Sequence, residues 1–96
     1  MYRIRWRNLA TAALEDIAAY IAEDNYYAAM RMVGKIRSAT DNMIAFMPWM
    51  FPADDNRPDL RICTLARPYL IYYRILEDEY TVEIIDIIHA ARGSKR

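Results

Sequence analysis

The chain has 96 residues, 55% of them hydrophobic, with thirteen basic and thirteen acidic side chains and no net charge. That length makes one domain with a single core, and the charge balance is not that of a nucleic-acid binder, which draws its affinity from an excess of Lys and Arg on phosphate. No apolar run approaches the roughly 18–20 residues of a membrane span, and the single cysteine, Cys63, excludes an internal disulfide. The N-terminal MYRIRWRNL lacks the apolar core of a signal peptide, so a soluble cytoplasmic protein is expected. So high an apolar fraction in so small a domain leaves apolar side chains at the surface, and a large exposed apolar patch marks a protein partner or a homodimer. Only Lys35 and Lys95 are lysines. The other basic residues are arginines, preferred for bidentate and stacked contacts at interfaces.

Residues 2–7, YRIRWR, alternate strictly, with Tyr2, Ile4 and Trp6 on one side and Arg3, Arg5 and Arg7 on the other. A period of two predicts a half-buried strand. Residues 9–24 predict a helix, with Ala10, Ala13, Leu14, Ile17, Ala18 and Ile21 along one stripe. Asn25 is placed to cap a second helix over 26–46, whose stripe runs Ala29, Val33, Ile36, Thr40, Met43 and Met47. Gly34 weakens that helix locally and is expected to allow close packing of the first. So short a turn predicts an antiparallel helical hairpin. Pro48, Pro52 and Pro58 exclude regular structure from 47–58, a loop long enough to be functional. Three strands follow, over 60–66, 68–76 and 80–89, the last two joined as a hairpin by LEDE. On the last strand Val82, Ile84, Asp86 and Ile88 are expected on one side, with Thr81, Glu83, Ile85, Ile87 and His89 on the other. The fold expected is α+β: an N-terminal strand, an antiparallel two-helix hairpin packed on one face of the sheet, and a three-stranded antiparallel meander.

Few chemistries fit these residues. One His and one Cys cannot build a usual zinc site, Asp54 and Asp55 lack the spacing of a calcium loop, and Gly34 and Gly93 form no phosphate-cradling loop. No cofactor and no metal are expected. Cys63 reads as a buried small hydrophobe.

The order and spacing of several motifs resemble the RelE/ParE toxins of bacterial toxin–antitoxin systems, over nearly the whole chain. The Ala-rich first helix ends in YIAEDN (20–25), followed by Ala28 and Ala29, by Pro48, and by Arg57 or Arg61 leading into the second strand. The most specific pieces are PYLIYYRI (68–75), which contains Tyr-x-x-Tyr-x-Arg, and IIDIIHAAR (84–92), a β-branched strand ending in His-x-x-Arg.

The resemblance implies a toxin neutralised by a cognate antitoxin, ParD-like or similar. The superfamily divides into RelE-like ribosome-dependent messenger-RNA endoribonucleases and ParE-like proteins acting on DNA gyrase. A nuclease needs acid–base groups and cations for the developing charge. RelE-like chains commonly carry an Arg three residues before the central-strand Tyr, where Tyr69 stands here. They also finish with a Tyr or His beyond the last strand, whereas this sequence reads Gly93, Ser94, Lys95, Arg96. With zero net charge, these departures favour the ParE branch: gyrase as target, no direct nucleic-acid binding except through the antitoxin, and no enzyme. On the nuclease alternative, Arg61, Arg74, His89 and Arg92 would be the catalytic groups. A third alternative is a toxin-fold remnant that only binds its antitoxin. The partner-binding candidates are Trp49, Phe51, Arg61, Arg67, Tyr69, Arg74 and Arg92. Of these, Arg61 and Arg74 are expected to cluster on neighbouring strands. Trp49, Met50 and Phe51 read either as a docking knob or, preferred, as a cap folded onto the core. His89 reads preferentially as a strand-end histidine bonded to backbone, Asp86 or Glu83.

Overall fold

The structure, a computed structural model, describes residues 1–91. The expected elements appear in the expected order: β1 (Arg3–Trp6), α1 (Asn8–Ala22), α2 (Tyr26–Ser38), β2 (Arg61–Cys63), β3 (Tyr69–Leu76) and β4 (Thr81–His89). The strands form one sheet in the order β1-β4-β3-β2. Strands β2, β3 and β4 make the antiparallel meander, and β1 joins it by pairing parallel to β4. A parallel neighbour requires a long crossover, which the helical hairpin and the meander together supply.

The helices cover one face. Ala10, Ala13 and Leu14 of α1 are buried, with Ile17 and Ile21 packed against the same core. Asn25 caps α2 as expected: its side chain accepts the Ala28 N–H at 3.1 Å. The inward residues of the strands are Tyr2, Ile4 and Trp6, Tyr69, Ile71 and Tyr73, and Val82, Ile84 and Ile87. Cys63 is fully buried, and burial pushes its thiol above the ordinary range. No described helix is long and apolar enough to cross a membrane.

Several local expectations are corrected. The loop expected to lack regular structure over 47–58 holds one 3-10 turn, Pro48–Met50, because Pro48 stands at its start, where no N–H is needed. Helix α2 ends at Ser38 rather than Phe46 and passes into one wide turn, Ala39–Ile44, in which the Ala45 N–H donates to the Thr40 carbonyl five residues back. The extra residue in that turn rotates the face that follows. Ile44 and Ala45 are therefore buried, while Met47, expected on the stripe, is 54% exposed. The strand expected over 60–66 contracts to three residues, because the chain turns at 65–68 before β3 begins. On β4 the register against β3 jumps from Tyr72↔Asp86 to Tyr73↔Ile84, leaving Ile85 without a partner position. This bulge reverses the alternation beyond it. Asp86 and Ile88 therefore share the face of Glu83 rather than that of Ile84, and Ile87 joins the core.

Gly34 is not a packing glycine. It is exposed, and a Cβ built there meets nothing within 4 Å. Its cost to α2 is uncompensated, so Gly34→Ala should stabilise the fold by about 0.5–1 kcal/mol. Urea unfolding reads this directly, and a loss of stability would mean that this helix face is packed in solution.

Candidate functional site

The face of the sheet turned away from the helices carries a row of charge across three strands. Register places Arg5 of β1 and Arg74 of β3 on either side of Glu83 of β4, and Arg7 lies two residues further along β1 on the same face. The Glu83 side chain is 2% exposed, whereas those of Arg5, Arg7 and Arg74 are 49%, 54% and 41% exposed. Arg74 donates to Oε1 of Glu83 at 2.9 Å; Arg5 and Arg7 donate to Oε2 at 3.1 and 3.0 Å. Arg5 also reaches Glu79 at 3.2 Å. Burial opposes ionisation of Glu83, but the hydrogen bonds from Arg74, Arg7 and Arg5 outweigh it and hold the carboxyl below its ordinary value of 4.5.

The residues singled out from sequence do not converge on one point. Arg61 pairs with Tyr73 and so lies on the helix side of the sheet. Its guanidinium donates to the Trp49 and Phe51 carbonyls at 3.3 and 2.5 Å and stacks over the Trp49 ring, 4.9 Å from its centroid. Arg61 and Arg74 are on neighbouring strands but opposite faces, which corrects the expected cluster: strand alternation separates them. The cluster that forms instead is Arg5, Arg7 and Arg74. Phe51 folds in at 7% exposure, edge-on to Tyr73, whose hydroxyl donates to the Pro48 carbonyl at 2.6 Å. Tyr69 is also inward, at 5%. Trp49 and Met50 stay at the surface, 53% and 44% exposed, beside exposed Phe46 and Met47. Arg67 is exposed, and its carbonyl accepts from Lys35 at 3.4 Å. Arg57 forms a two-pronged pair with Asp59 at 3.0–3.1 Å. His89 ends β4 with its ring edge-on to Tyr69, 5.2 Å between centroids, and Nδ1 accepts the Ala91 N–H at 3.1 Å. Arg92 lies outside the described residues.

On the same outer face, the loop at 54–60 overhangs the sheet and leaves an open cleft of about 350 Å³ between Leu9, Leu60, Tyr72, Asp86 and Ile88. Burial and then the neighbouring Asp54 push the Tyr72 phenol above its ordinary range. The bulge at Ile85 is what delivers Asp86 and Ile88 to this cleft.

The charged row carries an acid signature. Folded Glu83 stays ionised at pH values where the unfolded chain has taken up a proton, so its contribution is complete above pH 4.5 and lost as pH falls through the lower folded value. Glu83→Gln should therefore flatten the decline in stability below pH 4.5, and should cost about 1–3 kcal/mol at neutral pH by weakening charge-assisted hydrogen bonds. Denaturant midpoints measured across that range check both, and an unchanged acid slope in the variant would refute the assignment.

Comparison with known proteins agrees with this fold. The family model for the ParE toxin of the type II toxin–antitoxin system, parDE, matches residues 4–93. A curated relative, "Putative toxin Y4kP" of Sinorhizobium fredii, is 40% identical over 93 residues, covering 92% of this chain and 88% of the relative. Among solved structures, the chromosomal ParDE system of P. aeruginosa superposes with a TM-score of 0.75 at 21% identity, over 93% of this chain and 96% of that one. The RelBE2 toxin–antitoxin complex of Mycobacterium tuberculosis gives 0.68 at 18%, over 92% and 96%. The isolated RelE toxin of E. coli gives 0.64 at 14%, over 98% and 89%. These structures share the fold, while the family model and the 40% relative carry the assignment: the chain belongs to the ParE toxins of type II toxin–antitoxin systems.

Proposed function

We propose that this toxin acts by binding DNA gyrase, not by cutting RNA, and that a cognate antitoxin neutralises it by covering its surface. The observation that carries this reading is the dispersal, among the described residues, of the groups a nuclease would need. Arg74 and His89 face opposite sides of the sheet. Arg74 pairs with Glu83, and His89 pairs with Tyr69, five residues from Arg74 along β3. At roughly 3.3 Å per residue that is about 17 Å, whereas acid–base groups act within hydrogen-bond reach of one phosphate. Arg61 spends its guanidinium on two loop carbonyls and an indole ring. The His89 Nδ1 is spent on a backbone N–H. Each of these side chains is engaged with another part of the fold, and the three do not converge on one substrate group.

A protein target is also what the surface suits. Phe46, Met47, Trp49 and Met50 are exposed in one short segment. Methionine and aromatic side chains are enriched at interfaces, and Arg61 beneath Trp49 fixes the indole in place. Action on gyrase places the protein in the cytoplasm.

Titrating purified toxin into gyrase, relaxed plasmid and ATP tests the reading. Supercoiling should be inhibited, or linear DNA released after protease, equally by the parent and by His89→Ala. Trp49→Ala should weaken inhibition by about tenfold, as for loss of an interface anchor; the hydrogen bond from Arg61 to its backbone carbonyl is retained, and only the stacking on the indole is lost. Gyrase left untouched by toxin that still arrests growth, with messenger RNA cleaved on translating ribosomes, would overturn the reading.

A further inference from the structure

We infer that Arg5, Arg7 and Arg74 form a receptor for one carboxylate side chain of the antitoxin, and that Glu83 is the positioning residue that holds the three guanidinium groups in place. The inference rests on the antitoxin-neutralised reading and names the contact on this chain that would serve it.

Three observations support it. The first is geometric. Both oxygens of a nearly buried carboxylate are taken up by three guanidinium groups whose side chains remain 41–54% exposed. A guanidinium has five N–H donors. Of the Arg7 nitrogens only Nη1 is engaged with Glu83, and Arg74 uses Nε and Nη2, so donors of both remain to face outward from a fixed position. Fixing long side chains before the partner arrives reduces the ordering that binding must cost.

The second is the charge count. Three arginines meet two acids, Glu83 and Glu79, which leaves one positive charge on the row. One residual charge suits one carboxylate. It does not suit a phosphate backbone, which needs many cations together. Glu77 and Asp78, in the same turn as Glu79, add negative charge beside the row and would repel a polyanion.

The third is the surroundings. Beyond Arg74 on the same face come Tyr72 and Leu70 of β3, with Ile88 of β4 opposite Leu70, all partly exposed. Tyr72 is two residues from Arg74, roughly 7 Å along the strand. The segment that fits is therefore a polypeptide carrying an acidic residue with apolar residues about 7 Å and beyond from it, laid over the outer face of the sheet.

The experiment measures binding of the cognate antitoxin to the toxin by calorimetry, with thermal melting of each variant to confirm folding. Arg7→Gln and Arg74→Gln should each weaken binding about tenfold or more, and Arg7→Lys should restore only part of the loss because it lacks the planar fork. Arg31→Gln, exposed on α2, should bind as the parent. Each Asp and Glu of the antitoxin's toxin-binding region is then changed to Asn or Gln. One position should lose affinity to a similar degree, and combining it with Arg7→Gln should add little further loss. Parent-like binding by both arginine variants would overturn the receptor while leaving neutralisation intact. Losses that simply add for every acidic position would reduce the row to diffuse attraction and also overturn it. An antitoxin that fails to bind the parent toxin would sink the broader reading and this one with it.

Discussion

The carboxylate of Glu83 ties together the parts of this chain that are furthest apart in sequence. It sits on β4, one of the two inner strands, and meets Arg5 from the N-terminus and Arg74 from the preceding strand. Strand β1 is four residues long, at the sheet's edge, and reaches β4 only after the whole rest of the fold. Backbone pairing over so short a stretch specifies register weakly. Side chains specify it well: a slip of one residue would send Arg5 and Arg7 into the core and bring Ile4 and Trp6 to water. An aliphatic residue at position 83 would bury at less cost than a carboxylate, but it would not discriminate between registers. Correct placement of β1 in turn sets Trp6 beneath Arg37 of α2 at 5.7 Å and delivers the Tyr2 N–H to the carbonyl of Ala45 at 2.8 Å.

This explains why the row escaped the reading of the sequence although each half of it was visible. The alternation of Arg3, Arg5 and Arg7 against Tyr2, Ile4 and Trp6 gave the outer face of β1, and the position of Glu83 opposite Val82 and Ile84 gave its side of β4. What periodicity does not contain is which strand lies beside which. The parallel β1–β4 contact joins residues 3–6 to 81–84, and no local signal announces it. Arg61 and Arg74 show the converse: adjacency of their strands was foreseeable from the meander, but the face of each depended on a register that sequence spacing does not supply.

On β4 and after α2 the departures share one cause. For Asp86, Ile87, Ile88 and Met47, an ideal period runs through an element that contains one residue too many. The bulge at Ile85 and the wide turn at 39–44 each insert a residue, and everything beyond the insertion changes face. Neither irregularity involves Gly or Pro, so nothing in the composition marks it. Features set by local chemistry fared better. The Asn25 cap, the burial of Cys63, the helical hairpin and the meander all follow from residues close in sequence.

The same commitments that stabilise the fold bear on what the surface can do. A cation engaged with an interior carboxylate or a loop carbonyl has less freedom to follow charge that develops during a reaction, yet it is well suited to meet a partner group whose position does not change. Arg61 and the Glu83 row are both of this kind. Arg61 spends itself on carbonyls and leaves an indole presented to solvent; Glu83 spends itself on arginines and leaves guanidinium edges presented to solvent. One surface is apolar and lies at 46–50; the other is cationic and lies on the outer sheet. Strand alternation puts Arg61 and Arg74 on opposite sides, so the two surfaces are built on different faces of one thin sheet. An antitoxin that neutralises by occlusion must then reach round an edge to cover both, which favours an extended segment over a compact domain.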